Sequence, residues 1–303
     1  MNLEARLLEF EKKDNRFNNA LNRAVLESVA RNDVGPTLIF TKLQPAVSIG
    51  SSQSYALDVD DEACKKYGID IVRRDSGGQS VYVDKGYLIF YLIGRPDLFP
   101  GDLTHLRRDF SVTIAETLKS FGVPAEFHKP DNVIIREDSR IKTIGNSGQV
   151  ITKDAILVQG SIRYELVDFD IMLDVLRVNG CKLQPYKEEI KKILGEVVQY
   201  ANVSKVEIKE KLLENLKQRY GLQFNSGELT DSEYRRTIEL SSEEARRDRL
   251  TDRDWYKSRG VCYFFVGGKN LVPSLHEVMA HNQPSTVRDS TIELENERME
   301  VNT

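Results

Sequence analysis

Arg73-Arg74-Asp75-Ser76-Gly77-Gly78-Gln79-Ser80-Val81-Tyr82-Val83-Asp84 sets two arginines and a paired-glycine loop between two β-like runs. The run before it holds Ile69, Ile71 and Val72; the run after it is Tyr87-Leu88-Ile89-Phe90-Tyr91-Leu92-Ile93. Adjacent glycines permit positive φ and let a ligand approach the backbone N–H groups. Neighbouring guanidiniums offer planar, permanently charged forks to phosphate or carboxylate. A strand–loop–strand of this content suits an acidic small molecule such as a nucleotide. The same glycine pair also fits a plain hairpin turn.

A second constellation lies downstream. Phe127-His128-Lys129-Pro130-Asp131-Asn132 precedes the β-branched run Val133-Ile134-Ile135, and a charged turn leads to Ile141-Lys142-Thr143-Ile144-Gly145-Asn146-Ser147-Gly148-Gln149. Ile156-Leu157-Val158-Gln159-Gly160-Ser161-Ile162 closes the segment. Lys142 stands in a strand-like run three residues before Gly145. An isolated lysine there can simply face solvent from a sheet. Beside a glycine loop and an arginine pair it becomes a candidate for holding an activated carboxyl group.

In this order the elements resemble the lipoate–protein ligase A family, within the biotin/lipoate protein ligase superfamily, across residues 14 to 257. The family's R-R-x-S-G-G-G-A-V-x-H-D motif is matched by Arg73, Arg74, Ser76, Gly77, Gly78, Val81 and Asp84. Its K-x-x-G-S-A motif is similar to Lys142, Gly145 and Asn146-Ser147, and its H-G-S/T strand to Gln159-Gly160-Ser161. Phe17-Asn18-Asn19-Ala20, Ile49-Gly50-Ser51-Ser52-Gln53, Gly227-Glu228-Leu229-Thr230 and Asp254-Trp255 follow the family pattern too. Three positions depart from it: Gln79 replaces the third glycine, Val83 the motif histidine, and Gln159 the later histidine. Gly77-Gly78-Gln79 also resembles the R-G-G-Q loop of octanoyl-carrier transferases of the same superfamily. Those enzymes use a Cys/Lys pair, and Asn179-Gly180-Cys181 stands near the expected place, without its proline. A lysine cation would make thiolate available there; a lone cysteine can equally be a small hydrophobe.

Composition fits a cytoplasmic enzyme. The chain has 303 residues, 40% apolar and 30% charged, with a formal net charge of −4. That length suggests one large domain and a smaller one, and the charge argues against general affinity for nucleic acid or anionic lipid. No basic leader with an apolar run and no membrane-span pattern is read. Cys64, Cys181 and Cys262 lack metal-like spacing and suit a reducing compartment. His105, His128, His276 and His281 are equally scattered, so no protein-held metal is expected, and Mg²⁺ would arrive on nucleotide phosphates.

Apolar residues from Leu7, Leu8 and Phe10 through Phe17, Leu21, Val25 and Val29 predict an amphipathic N-terminal helix. Strands follow at 37–40 and 46–49, a helix at 61–67, then the glycine-loop hairpin. Asp102 is the expected N-cap of a helix ending near Phe121, and a further helix covers 170–178. Past Lys182 the pattern turns to helices on a charged background. Ser204-Lys205-Val206-Glu207 and Thr230-Asp231-Ser232-Glu233 read as capping boxes, with Val206, Leu212, Leu213, Leu216 and Tyr220 on one face. The charges of Arg235, Arg236, Glu243 and Glu244 read as a solvated face, or as a docking surface for an acidic acceptor domain. The expected fold is α+β: a mixed, largely antiparallel sheet with packed helices as catalytic domain over 1–182, a small helical accessory domain over 183–280, and a flexible tail over 281–303.

The resemblance implies ATP-dependent activation of lipoate or octanoate to an acyl-adenylate, then transfer to a lysine of a lipoyl carrier domain, glycine-cleavage H-like or dehydrogenase E2-like. It gives Lys142 the bridging of carboxylate and α-phosphate. Arg74, Ser76, Gly77, Gly78, Gln79 and Val81 would cradle adenylate or acyl carbonyl. Asp131 and Asn132 would hold nucleotide or metal, with Gly145, Gln159, Gly160 and Ser161 completing the wall. Val47, Val81, Val83 and Ile144 are candidates for an apolar acyl tunnel. Two alternatives stay open: an octanoyl transferase with Cys181 as nucleophile, and a non-catalytic relative that binds carrier or nucleotide.

Overall fold

The computed structural model describes residues 3–11, 14–51, 53–99, 101, 105–137, 140–178 and 180–247, and the short strand pair 265–266 and 269–270. Strand β1 (Leu3–Phe10) precedes helix α1 (Asn15–Ala30). The predicted single helix is thus two elements. Asp14 stops the strand by accepting from the N–H groups of Arg16 and Phe17 as N-cap. Phe10 then folds back on Phe17, ring centroids 6.1 Å apart. Next come β2 (Thr37–Thr41), β3 (Ala46–Ile49), α2 (Tyr55–Asp58), α3 (Asp61–Tyr67), β4 (Asp70–Arg73), β5 (Val81–Val83) and β6 (Tyr87–Gly94). Helix α4 (Leu106–Lys119) leads to β7 (Ala125–His128), β8 (Asn132–Glu137), β9 (Arg140–Ile151) and β10 (Ile156–Arg163). The expected cap Asp102 lies outside the described residues.

The expected helix over 170–178 ends early as α5 (Phe169–Val175), giving way to the hairpin β11 (Arg177–Val178) and β12 (Cys181–Lys182). Then follow α6 (Lys187–Ile193), α7 (Lys205–Tyr220), β13 (Leu222–Ser226) and α8 (Asp231–Arg247). Both capping boxes form, at Ser204–Glu207 and Thr230–Glu233. On α7, Ile208, Leu212 and Leu216 are buried, whereas Val206 is 60% exposed and leaves the predicted apolar face.

An eight-stranded sheet runs β13-β1-β2-β6-β10-β9-β8-β7, parallel at β13–β1–β2 and antiparallel from β2 onward. This is the mixed, largely antiparallel α+β architecture expected. A smaller sheet runs β4-β3-β5. The glycine loop therefore does not close a hairpin. It carries the chain from one flank of β3 to the other, and Tyr87–Gly94 belongs to the large sheet. Helices α4 and α7 cover one face of that sheet through Phe110, Ile114, Leu118, Leu212 and Leu216. Helix α1 covers part of the other face through Leu21, Val25 and Val29. The small sheet turns Val47, Ile49 and Tyr82 onto Met172 and Leu173 of α5.

The sequence-based boundary at 182 does not coincide with a break in packing: α7 joins the main core and β13 extends the large sheet. The parts of the expected accessory domain and tail beyond 247 lie almost wholly outside the described residues. Helix α8 is tied to β1 by Arg6, whose guanidinium meets Glu233 at 2.7 Å, with the carboxylate side chain fully buried. Burial pulls the Glu233 pKa upward, but the Arg6 and Thr230 hydrogen bonds outweigh it and hold the group below its ordinary 4.5. Such a group stabilises the fold above its unfolded pKa and loses that contribution as pH falls through its folded value. Arg6→Met leaves this carboxylate without its cation and is expected to cost about 3 kcal/mol at neutral pH. The gap to wild type should narrow below pH 4.5, where Glu233 takes up its proton; urea unfolding at both pH values checks this. No described helix is long and apolar enough to cross a membrane.

Candidate active site

The two sheets enclose a cavity of about 580 Å³, a size usual for small-molecule sites. Strand alternation supplies its lining. Along β10, Gln159, Ser161 and Arg163 face the cavity, and Val158 and Ile162 enter the core behind. Register sets Tyr91, Ile89 and Tyr87 beside them on β6, and Gly148 and Asn146 on β9. Gly160 also reaches the wall; a Cβ there would stand 2.4 Å from Phe90 Cζ, so core packing on the far face demands glycine. Opposite, the small sheet contributes Ala46, Ser48, Val72, Val81 and Val83. Val81, Val83 and Ile144, three of the four tunnel candidates, thus line the cavity. Val47 does not: period two turns it to the opposite face, and Ala46 and Ser48 take its place.

The glycine loop closes one end of the cavity with Arg74, Gly77, Gly78 and Gln79 on its wall. Arg74 spends its guanidinium on the loop itself. Nη1 donates to Ser48 O at 2.7 Å, Nη2 to Gly77 O at 3.0 Å and Gln79 O at 2.6 Å, and Nε to Gly77 O at 3.3 Å. Desolvation of this loop-bound cation pushes its pKa down to about 10. Gly50 lies beneath the loop so tightly that a Cβ would fall 1.9 Å from Gly78 O. Ser76, itself buried, donates to Gln159 Oε1 at 2.9 Å and pins the loop to the large sheet. Gln159 thereby shows what replaces the family histidine: an amide acceptor for the loop serine. Val83 makes its own replaced histidine position an apolar wall.

A third cluster gathers where β8 begins. Arg107 Nη1 pairs with Asp131 Oδ2 at 2.6 Å, and the Asp131 carbonyl accepts from Ser111 Oγ at 2.8 Å and Ser147 N at 2.9 Å. Burial raises the Asp131 pKa against the opposing pull of Arg107. Asn132 and Asn146 pair across the strands, and Ser161 Oγ donates to Asn146 Oδ1 at 2.8 Å. Gly145 has no room for a side chain, since a Cβ would lie 2.5 Å from Ser161 O.

Lys142, the expected catalytic residue, is not brought to the cavity. Between Val133↔Gly145 and Ile134↔Thr143 the β8–β9 register skips Ile144. An unbroken strand would place Lys142 on the same face as Asn146. The bulge shifts the alternation by one, and Thr143 takes the inward place. Lys142 instead shares a shallow outer recess with Glu137, Tyr200, Lys191 and Lys192. Its Nζ stands 2.9 Å from Glu137 Oε2 and donates to Tyr200 Oη at 3.2 Å. The Glu137 contact, outweighing some burial, raises its pKa.

Cys181 also stays off the wall, half-buried on β12, with burial raising its thiol pKa. The cavity residues missed from the sequence include Arg163, Tyr87, Ile89, Tyr91, Ser48 and Arg107. The first four were accessible by carrying the period-two pattern outward from Gln159 on β10 and by taking the face of β6 opposite Phe90; Ser48 and Arg107 carried no local signal. Among the described residues, no group of three or more His, Cys, Asp or Glu side chains could hold a metal.

Residues 14–217 match the model of the lipoyl protein ligase A/B catalytic domain. Lipoate-protein ligase LplJ of Bacillus subtilis is 32% identical over 167 residues, 55% of this chain and 46% of that protein, so the match spans about half its length. Octanoyltransferase LipM of Kyrpidia tusciae is 29% identical over 267 residues, 77% of this chain and 93% of that protein. Among solved structures, lipoate-protein ligase A bound with ATP superposes with a TM-score of 0.67 at 25% identity, covering 80% of this chain and 95% of that one.

Proposed function

The chain belongs to the lipoyl protein ligase A/B catalytic-domain family, and we propose that within it this protein is an ATP-dependent lipoate–protein ligase. A carboxylate oxygen of lipoate or octanoate attacks the α-phosphate of ATP and pyrophosphate leaves. The ε-amine of a lysine on a lipoyl carrier domain, glycine-cleavage H-like or dehydrogenase E2-like, then attacks the acyl carbonyl and AMP leaves. The observation that carries this reading is a single cavity with two kinds of wall. Val72, Val81, Val83 and Ile89 form an apolar side that suits an alkyl chain, each buried methylene contributing about 0.8 kcal/mol. The glycine loop, Asn132 and Asn146 form a polar side that suits a nucleotide. Gly77 is exposed, with open space where a Cβ would stand, so phosphates can reach its backbone. Mg²⁺ would arrive on those phosphates, and Asp131 is the acidic side chain the described wall offers it. Reduced Cys64 and Cys181 suit a cytoplasmic setting.

The transferase reading draws on the similarity to LipM. It needs an activated thiol, and Cys181 has the opposite environment: desolvated, off the cavity wall, and apart from a lysine already engaged by Glu137 and Tyr200. Pyrophosphate release from ATP should therefore depend on lipoate or octanoate, and Cys181→Ser should keep that rate within about twofold, the effect of a residue outside the transition state. No release, together with octanoyl transfer from a carrier protein that Cys181→Ser abolishes, would establish the transferase instead. Silence in both assays would leave a binding function.

A further inference from the structure

Three arginines line the cavity, and they differ in what they have left to offer a ligand. A guanidinium carries five N–H donors. Arg74 spends its nitrogens on the carbonyls of Ser48, Gly77 and Gln79. Arg107 is neutralised by Asp131 at 2.6 Å. Arg163 donates from Nε to Tyr87 Oη at 2.9 Å, and from Nη1 to Thr143 O at 2.6 Å and Gly195 O at 3.2 Å. Its Nη2 makes no hydrogen bond among the described residues, and no described carboxylate lies within ion-pair distance.

These contacts fix the plane of the guanidinium. Two carbonyls and a phenol hold it, and its centre lies 5.5 Å from the Tyr87 ring centroid. The Thr143 carbonyl it grips belongs to the β9 bulge, the stretch that turns Lys142 out of the cavity. Arg163 thus occupies, from β10, the inward cationic place beside Thr143–Gly145 that sequence reasoning gives to Lys142. A preorientated cation with free donors, on a cavity wall whose other two arginines are engaged, is suited to a carboxylate.

We propose that Arg163 is the carboxylate-binding residue of the acyl substrate, receiving it through Nη2 before activation and so selecting acids over neutral chains. This rests on the ligase reading only in taking the ligand to be a medium-chain acid. The test is calorimetric titration of octanoate and its neutral isostere octanamide into the full chain without ATP. Wild type should prefer the acid, and Arg163→Gln should reduce the acid-to-amide affinity ratio roughly ten- to hundredfold, the range of a charge-assisted hydrogen bond. Amide affinity should change little, and Arg163→Lys should recover part of the ratio; a merely structural loss would weaken both ligands together. A ratio unchanged in Arg163→Gln, or one that collapses only in Lys142→Met, would overturn the assignment while leaving acyl binding intact. Equal binding of acid and amide by wild type would overturn it as well. Failure of wild type to bind either ligand would overturn both this assignment and the ligase reading beneath it.

Discussion

Lys142→Ala is expected to lower acid-dependent pyrophosphate release at least a hundredfold while leaving octanoate binding nearly unchanged, because removing one preorganised charge stabiliser typically costs roughly 10²–10³ in rate. The lysine stands one residue from the cavity wall at Thr143, held outward by Glu137 at 2.9 Å and by Tyr200 at 3.2 Å. Adenylation brings a carboxylate and a triphosphate together, and the second anion is the stronger competitor for a lysine already partnered by a surface carboxylate. The Glu137 side chain is 39% exposed, and an ion pair that meets solvent is worth little, so the cost of turning Lys142 inward is small. Glu137→Gln therefore provides the internal control: it weakens the outward hold and should leave the rate at or above wild type. Equal loss in both variants would mean that the pair only shapes the α6–α7 connection. Normal release from Lys142→Ala would assign charge neutralisation to Arg163 and the loop amides.

How far the sequence reaches depends on whether the deciding contact is local. The residues marked by the family motifs, Ser76, Gly77, Gly78, Gln79, Asp131, Asn132, Gly145, Gln159, Gly160 and Ser161, sit in short local stretches of chain; all but Ser76 line one cavity, and Ser76 bonds to Gln159. Alternation along Gln159-Gly160-Ser161 carried enough information to predict Arg163 two residues on. The hairpin reading failed for a different reason. The strands flanking the glycine loop pair with β3, contributed by residues 46–49, and nothing inside the loop specifies a partner that distant. Lys142 was misdirected by one residue of register, since Lys-Thr-Ile-Gly reads as unbroken strand until Val133 and Gly145 are seen to pair. At the N-terminus, Leu7, Leu8 and Phe10 satisfy helical spacing as well as the strand they form, and only pairing with β2 and β13 decides. The same β13 pairing carries chain beyond residue 182 into the main sheet, where a composition shift alone suggests a separate unit.

Arg74→Lys should be nearly as damaging as Arg74→Ala, with pyrophosphate release falling more than a hundredfold in each and thermal stability falling modestly. The reason is donor geometry rather than charge. Arg74 reaches Ser48 O on β3 and Gly77 O and Gln79 O on the loop at once, a span a planar fork covers and an ammonium does not. Lysine keeps the charge but frees at least one of those carbonyls, and each half-buried carbonyl left unmet costs about 1–3 kcal/mol. The loop can avoid that cost only by moving toward water, and it has little freedom to move inward, with Gly50 packed under Gly78 and φ at Gly78 of +93°. Its release takes Ser76 away from Gln159 and the amides of Gly77 and Gly78 away from the position where phosphate is expected. A 1 Å displacement of positioning groups is enough for a loss near 10²-fold. Binding of octanoate to the Arg163 end should survive, because that end is held by Tyr87, Thr143 and Gly195. Calorimetry with octanoate and with ATP separates the two ends: retained acid binding with lost nucleotide binding is the expected result. Retained nucleotide binding in Arg74→Lys would show that the loop's geometry does not depend on the fork.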